Sequence, residues 1–411
     1  MYKLLHHNQV PGLNFLILRV KLFRISLDKR ILFYTFVKIF TMKKFLIAFT
    51  VIVLAAGCSS GDSNETVTDG SYDRKALLMN WADNIIIPAF TNYQAKVNVL
   101  SEKTATYTAT PTTDNLIALR ASWLAAYKAY QYVGIHDIGK ASELYLIEST
   151  NIYPTDAAGI TANISSGTYV LTQPRQYARQ GFPALDFLIN GLGATDGEIV
   201  SYYTTNTNAT GYKKYITDVT TQLKVVADAI VADWNGGYRN AYIENTSASI
   251  TGAIGQTTNN YIKNCEKDVR FPKLGVPAGV FSNGTTYPDK VEAFYKKDVS
   301  KELLLDALKA SQDFYNGRNF TTGAEGPSLK GFLDAVNAGG STPLSGIINN
   351  KYNAALTATN ALNNNLTQQI TTDNAAAVNA YNAIQQIVIY TKVDLLNALH
   401  INIDYVDADG D

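Results

Sequence analysis

Arg179-Gln180-Gly181-Phe182-Pro183-Ala184-Leu185-Asp186-Phe187-Leu188-Ile189 decides how this chain is read. Gly181 allows a backbone turn. Pro183, two residues on, fits the first turn of a helix, where its missing N–H is no loss. Leu185, Leu188 and Ile189 then recur at helical spacing. Asp186 falls in or near the first turn, where the helix dipole favours negative charge. The stretch predicts a helix start with a buried face and a carboxylate near its positive end.

Outward from it the same three- and four-residue spacing repeats. Leu77, Trp81 and Ile85 begin a helical face that Pro88 should kink or interrupt. Leu116, Leu119, Trp123, Tyr127 and Tyr130 form an amphipathic stripe, with Thr113 or Asp114 as its cap. Aromatics at that spacing, Trp123 included, read as core before they read as a ligand-stacking box. Further helices are expected over 212–234, closed by Gly236-Gly237, over 250–267 with a buried Cys265, and through Leu304, Leu308 and Phe314. Two long ones, 347–370 and 374–400, are expected to form an antiparallel pair. Residues 154–174, 191–209, 270–288 and 320–343 are rich in Gly, Pro, Thr, Ser or Asn and read as loops.

At 411 residues the chain has room for two domains or one large one. Its formal charge of zero hides an asymmetry. The 35 basic and 35 acidic residues become 26 and 34 once residues 1–57 are set aside, a net charge of −8. A body of that sign is a poor partner for nucleic acid, which needs a basic face. Of the two cysteines only Cys265 lies beyond Cys58, so a chain processed at Cys58 has no second internal thiol to pair with it.

Met42-Lys43-Lys44, an apolar run over 45–56 and Gly57-Cys58-Ser59-Ser60 make a secretory signal. The apolar run is short for a transmembrane helix. Leu54-Ala55-Ala56-Gly57-Cys58 resembles a bacterial lipoprotein cleavage box, with Cys58 acylated as the first mature residue. Several acyl chains there anchor stably, where one binds only marginally. The expectation is an envelope protein tied by Cys58 to a membrane, the outer one facing the periplasm or the cell surface. Residues 1–41 read as a spurious upstream extension before a true start at Met42, 42–57 as the signal, and 58–71 as a polar, acidic tether.

Beyond Cys58 only His136 and His400 remain as histidines, and neither has a ligand partner at i+3 or i+4. Each is expected to be a satisfied structural histidine rather than a zinc ligand. The acidic terminus Asp407-Ala408-Asp409-Gly410-Asp411 lacks the remaining ligands of an EF-hand loop.

Several stretches together resemble the imelysin family, also called peptidase M75 or the insulin-cleaving membrane protease family. They are Trp81-Ala82-Asp83-Asn84-Ile85-Ile86-Ile87-Pro88, the 116–130 segment around Trp123, 181–189, Lys273-Leu274-Gly275-Val276-Pro277, Val291-Glu292-Ala293-Phe294-Tyr295 and the acidic terminus. The resemblance implies an all-α protein of two related helical-bundle halves, 72–237 and 238–411, with the site in a cleft between them. It also implies a link to iron uptake and iron-regulated expression. The family signature Gly-x-His-x-x-Glu falls on Gly181 to Asp186: the glycine is kept, Pro183 replaces the histidine and Asp186 replaces the glutamate. A His and a carboxylate three residues apart share a helix face and can hold a metal or move protons. Pro183 can do neither.

Three functions follow from these readings. The first is a non-catalytic, lipid-anchored binding protein serving uptake of iron or an iron-bearing ligand, its ligand-binding candidates being Gly181, Pro183, Asp186, Trp123 and Glu292. The second is a metallopeptidase in which Asp186 and Glu292 hold a divalent cation through oxygen. The third is an interaction lipoprotein that binds another envelope protein. No resident cofactor is assigned.

Overall fold

Apolar residues at helical spacing bury one face of nearly every segment in the computed structural model, which describes residues 72–405. Three helices build the first layer. Ile87–Ala109 packs against both Thr113–Gln131 and Ala209–Asp233. Tyr93, Val97, Leu100 and Tyr107 on the first face Leu116, Leu119, Trp123 and Tyr127 on the second and Ile216, Val219, Leu223 and Ile230 on the third as one buried cluster. The second layer pairs Leu344–Asn360 with Asn374–Ile389, and these with Ser300–Tyr315 and the π-helical Asn264–Gly275. The 300–315 helix also touches the 113–131 helix. The described residues form one compact unit and contain no strand, only an isolated bridge between Arg318 and Glu325. The fold is all-α, as the family resemblance implies and the helical spacing of the apolar residues supports.

Several boundaries differ from the sequence reading. Pro88 does not break its helix. Arg74–Asn80 runs through a π-helical turn, Trp81–Ile86, into Ile87–Ala109, and Pro88 lies in the first turn of that last segment. The widened turn falls just ahead of the residue that has no N–H to give. The cap of the 113–131 helix is Thr112, whose Oγ1 accepts the Asn115 N–H at 3.2 Å, rather than Thr113 or Asp114. Gly237, at φ +138°, does end the helical path where Gly236-Gly237 is expected to close it, and a separate short helix, Arg239–Glu244, follows the kink.

The expected 347–370 helix is two: Leu344–Asn360 and Leu366–Thr372. Asn365 caps the second through the Gln368 N–H, and Leu362 and Leu366 both turn inward. Asparagine side chains that bond nearby backbone favour such breaks. The 374–400 helix gives way to a π-helical turn at Tyr390–Leu395 and ends at Leu396–Ala398.

Expected loops hold helices too: Ala157–Ser166, Asp196–Thr204, Leu329–Ala335 and the second half of Asn264–Gly275, with Pro272 inside. Thr195 and Glu198 form a full capping box, a signal that Thr195-Asp196-Gly197-Glu198 already carried.

The assignments for residues 1–71, including the anchor at Cys58, and for 407–411 lie outside the described residues. Among the described residues no helix is long and apolar enough to cross a membrane.

Candidate functional site

Gly181 opens a short helix, Gly181–Asp186, that passes into a π-helical turn, Phe187–Gly191. Its φ is +73°, and a Cβ there would lie 2.1 Å from the Thr150 carbonyl oxygen. Only glycine meets both demands. Asp186 is the sixth residue of this helix, not the first-turn dipole partner that the spacing implied. Its helix faces the 291–297 segment, which turns sharply with Ala293 at φ +54° and Lys297 at φ +69°. That turn aims backbone N–H groups at the carboxylate. Oδ2 accepts from Tyr295 N at 2.9 Å, and Oδ1 accepts from Lys296 N at 3.0 Å and from Asn190 Nδ2 at 2.9 Å. Burial pushes the Asp186 carboxyl up to about 7, against the pull of those three donors. Gly191 lets the Tyr295 ring approach, since a Cβ would lie 2.4 Å from it.

A cavity of about 180 Å³ opens beside this contact. Pro183, Asp186, Val291 and Tyr295 line it together with Tyr153 and Asp289. The Tyr153 hydroxyl is buried and without a hydrogen-bond partner, and burial raises its pKa well above the ordinary value. Asp289 is exposed at the rim.

Glu292, one residue from this cavity's wall, points the other way and is 1% exposed. Its Oε1 accepts from Asn151 Nδ2 at 2.8 Å, and the Tyr127 hydroxyl lies 3.0 Å from the same oxygen. That hydroxyl also reaches Asn151 Oδ1, so its one proton serves one acceptor at a time. Oε2 forms an ion pair with Lys273, whose Nζ donates onward to Gln131 Oε1 at 3.0 Å. Lys273 is 2% exposed, and burial depresses its pKa. The two charges neutralise each other in a site that would tolerate neither alone.

Trp123 belongs to the core that supports both sites. It is fully buried, and its Nε1 donates to the Phe182 carbonyl at 3.1 Å. The Phe182 ring stacks on Tyr127 at 4.6 Å. Trp123 does not line the cavity.

The structure thus brings Pro183 and Asp186 to one cavity, leaves Gly181 against the Thr150 backbone at the start of their helix, and sets Glu292 in a separate polar network. Asp186 and Glu292 answer to different partners and do not share a cation. Both Asp186 oxygens already accept hydrogen bonds, Pro183 offers no ligand, and no group of three or more His, Cys, Asp or Glu among the described residues could hold a metal ion. The donor set at the signature does not fit a bare transition metal.

Four of the sequence stretches singled out above meet here, through Tyr127, Asp186, Lys273 and Glu292. Sequence reasoning missed Tyr153, Asn151 and Gln131. Tyr153 lies one residue ahead of the 154–174 segment read as loop, and no local pattern marked it. His136 is buried as expected but not satisfied: neither ring nitrogen has a partner. Cys265 is a free, buried thiol, as expected. His400 is exposed, with φ +53°.

Comparison with known proteins agrees with this architecture. The family model described as imelysin, peptidase M75, matches residues 86–390. Two solved structures share the fold. One is an imelysin-like protein from Psychrobacter arcticum 273-4, 17% identical, with a TM-score of 0.61 over 81% of this chain and 97% of that one. The other is a candidate iron-regulated protein A precursor from Parabacteroides distasonis ATCC 8503, 16% identical, with a TM-score of 0.65 over 80% of this chain and 97% of that one. No curated protein matches the chain.

Proposed function

We propose that this chain, which belongs to the imelysin family, is a non-catalytic binding protein of the bacterial envelope that serves the uptake of iron or an iron-bearing ligand. The observation that carries this reading is the state of Asp186. Its carboxylate closes a contact between two segments, with three donors on it, and Pro183 stands where the family places a histidine. A residue so engaged holds the wall of a binding cavity and is poorly placed to move protons or grip a metal. Tyr153 stands in the wall of the cavity beside it, with the Asp289 carboxylate at the mouth. That combination suits a small polar ligand or the tip of a larger one.

The iron link is supported by a structural neighbour described as a candidate iron-regulated protein. The lipoprotein box ending at Cys58 supports the envelope location and the membrane anchor. On this reading, deletion of the gene slows growth of its source strain on limiting iron, and the wild-type copy restores it. A Tyr153→Phe copy restores it only in part. Unchanged growth, with no iron-bearing ligand bound in calorimetry, would end the proposal.

A metallopeptidase remains the second reading, because Asp186 titrates near neutrality, as a general acid or base does. Peptide cleavage that chelator abolishes and Asp186→Ala removes would favour it over binding. An interaction lipoprotein, the third, predicts instead a crosslinked envelope partner that Tyr153→Phe does not affect.

A further inference from the structure

Charge at the Asp186 cavity has one sign. Two carboxylates line it, Asp186 and Asp289, and no Lys, Arg or His does. The cations nearest in sequence are turned to other partners or to solvent. Lys296 Nζ pairs with Asp298 at 2.6 Å, Lys290 Nζ lies 4.1 Å from the centre of the Tyr287 ring, and Lys297 is exposed. None of the three lines the cavity. Pro183, Val291, Phe294 and Tyr295 make up much of the remaining wall, so apolar and aromatic surface surrounds the acids.

The two carboxylates are in different states. Asp289 stands exposed at the mouth, in the 3₁₀ turn Pro288–Lys290, and no group among the described residues pairs with its side chain. Asp186 lies in the wall with its three donors. A carboxylate offers about four lone-pair sites, and Oδ2, with Tyr295 N alone on it, keeps one. That leaves too few oxygens for a bare metal ion, which takes several at once. A cationic group on a carbon body asks for less. It needs an acceptor or two for its N–H groups and an apolar wall for its stem, and aromatic faces attract it further.

We propose that the Asp186 cavity selects an organic cation, a primary ammonium group held by the Asp289 carboxylate and the charge of Asp186, with its alkyl stem against Pro183, Val291 and Tyr295. This rests on the reading of the cavity as a binding site and names the part of the ligand that enters it. The volume, about 180 Å³, lies below the ~300–1,000 Å³ of pockets that hold a whole drug-sized molecule, so it takes an aminoalkyl tip. An anionic tip would meet two carboxylates and no counter-charge. Asp186 gives the selection a pH dependence, because it titrates near neutrality and a bound cation favours its ionised form. The titratable groups that face it are Tyr127, Tyr295 and Lys296. Tyrosine and lysine keep their charge state between about pH 6 and pH 8, as an alkylamine does.

The test uses the full-length chain and three probes of one shape: isopentylamine, isopentanol and isovalerate. Calorimetry at about pH 8 is expected to show the amine binding about tenfold more tightly than the alcohol, and the acid weakest. Amine affinity should rise several-fold from about pH 6 to pH 8 in the wild type and stay level in Asp186→Asn. Asp289→Asn, at an exposed position, should weaken the amine about tenfold and leave the alcohol unchanged. The proposal fails if the alcohol or the acid binds as well as the amine, if Asp289→Asn leaves amine affinity intact, if wild-type amine affinity is flat across that pH range, or if none of the three binds. The selectivity and the pH profile are read in the wild-type chain, so a misfolded variant does not remove the test. If the amine binds while growth on limiting iron is unaffected by deletion, the iron reading falls and the cation preference stands. If the amine does not bind while growth depends on the gene, only the cation preference falls.

Discussion

Asp186 Oδ2 accepts the backbone N–H of Tyr295 at 2.9 Å, across 109 positions of sequence. With the matching bond from Lys296 N, it ties the signature helix to the turn that carries Glu292. The carboxyl is buried and titrates at about 7, against about 3.9 in an unfolded chain. Between those values the folded state binds more protons, so stability falls as pH rises through the window. Against an Asp186→Asn variant, which does not titrate, the wild type should lose up to ~1.4 kcal/mol per pH unit between about pH 4 and 7. Urea midpoints for both proteins at pH 4, 5.5, 7 and 8 check this. Parallel curves would contradict it.

The Lys273–Glu292 pair should behave as a unit. Lys273→Met leaves a buried carboxylate without its cation and should cost ~3–5 kcal/mol. Adding Glu292→Gln should recover much of the loss, because the neutral amide needs no counter-charge. A double-mutant cycle on unfolding free energy gives the coupling directly, and strict additivity would refute it.

Gly181→Ala places a methyl group 2.1 Å from the Thr150 carbonyl oxygen, on a backbone at φ +73°. The left-handed conformation alone costs an L-residue ~1–2 kcal/mol, and the clash adds to it. Melting temperature should drop clearly, whereas Gly197→Ala, where a Cβ meets nothing within 4 Å, should leave it almost unchanged.

His136 stays neutral in the folded protein, its pKa pushed down to about 3 by burial, while an unfolded histidine titrates near 6.5. The unfolded state therefore binds the extra proton first. The stability this contributes is full above about pH 6.5 and is lost as pH falls towards 3, at up to ~1.4 kcal/mol per unit. His136→Leu should flatten that limb of the stability profile. A wild-type His136 ring signal that titrates at pH 6 in the native state would overturn the prediction.

How much of this could be read in advance differs from element to element. The stripe from Leu116 to Tyr130 announced its helix because one face is buried along its whole length, and a 3.6-residue period survives any detail of packing. The helix at 196–204 went unread even though Thr195 and Glu198 spelled out its capping box. Its small, polar composition looked like loop. Pro88 and Pro272 misled for a related reason: a π-helical turn just ahead of Pro88, and a run of π-helix around Pro272, leave room for a residue without an N–H, and no local pattern distinguishes that from a break.

At the site, helical spacing marked Asp186 and the family resemblance marked Glu292, but neither could say that the two acids answer to different partners. That depends on the turn at Ala293 and on which residues lie across it. Tyr153 and Asn151 carried no periodic signal at all, because their roles are set by neighbours more than 100 positions away in Glu292 and its turn.

The sequence by itself determined that the chain is helical, which faces are buried, and that position 183 lacks an imidazole. These are local properties, written in side-chain chemistry and its period. Only the tertiary structure decided that Asp186 is spent on the N–H groups of Tyr295 and Lys296, that Glu292 is matched by Lys273, and that the buried His136 ring nitrogens have no partner. Each of those outcomes depends on the balance between desolvation and a partner supplied from far along the chain, and that balance exists only once the chain has folded.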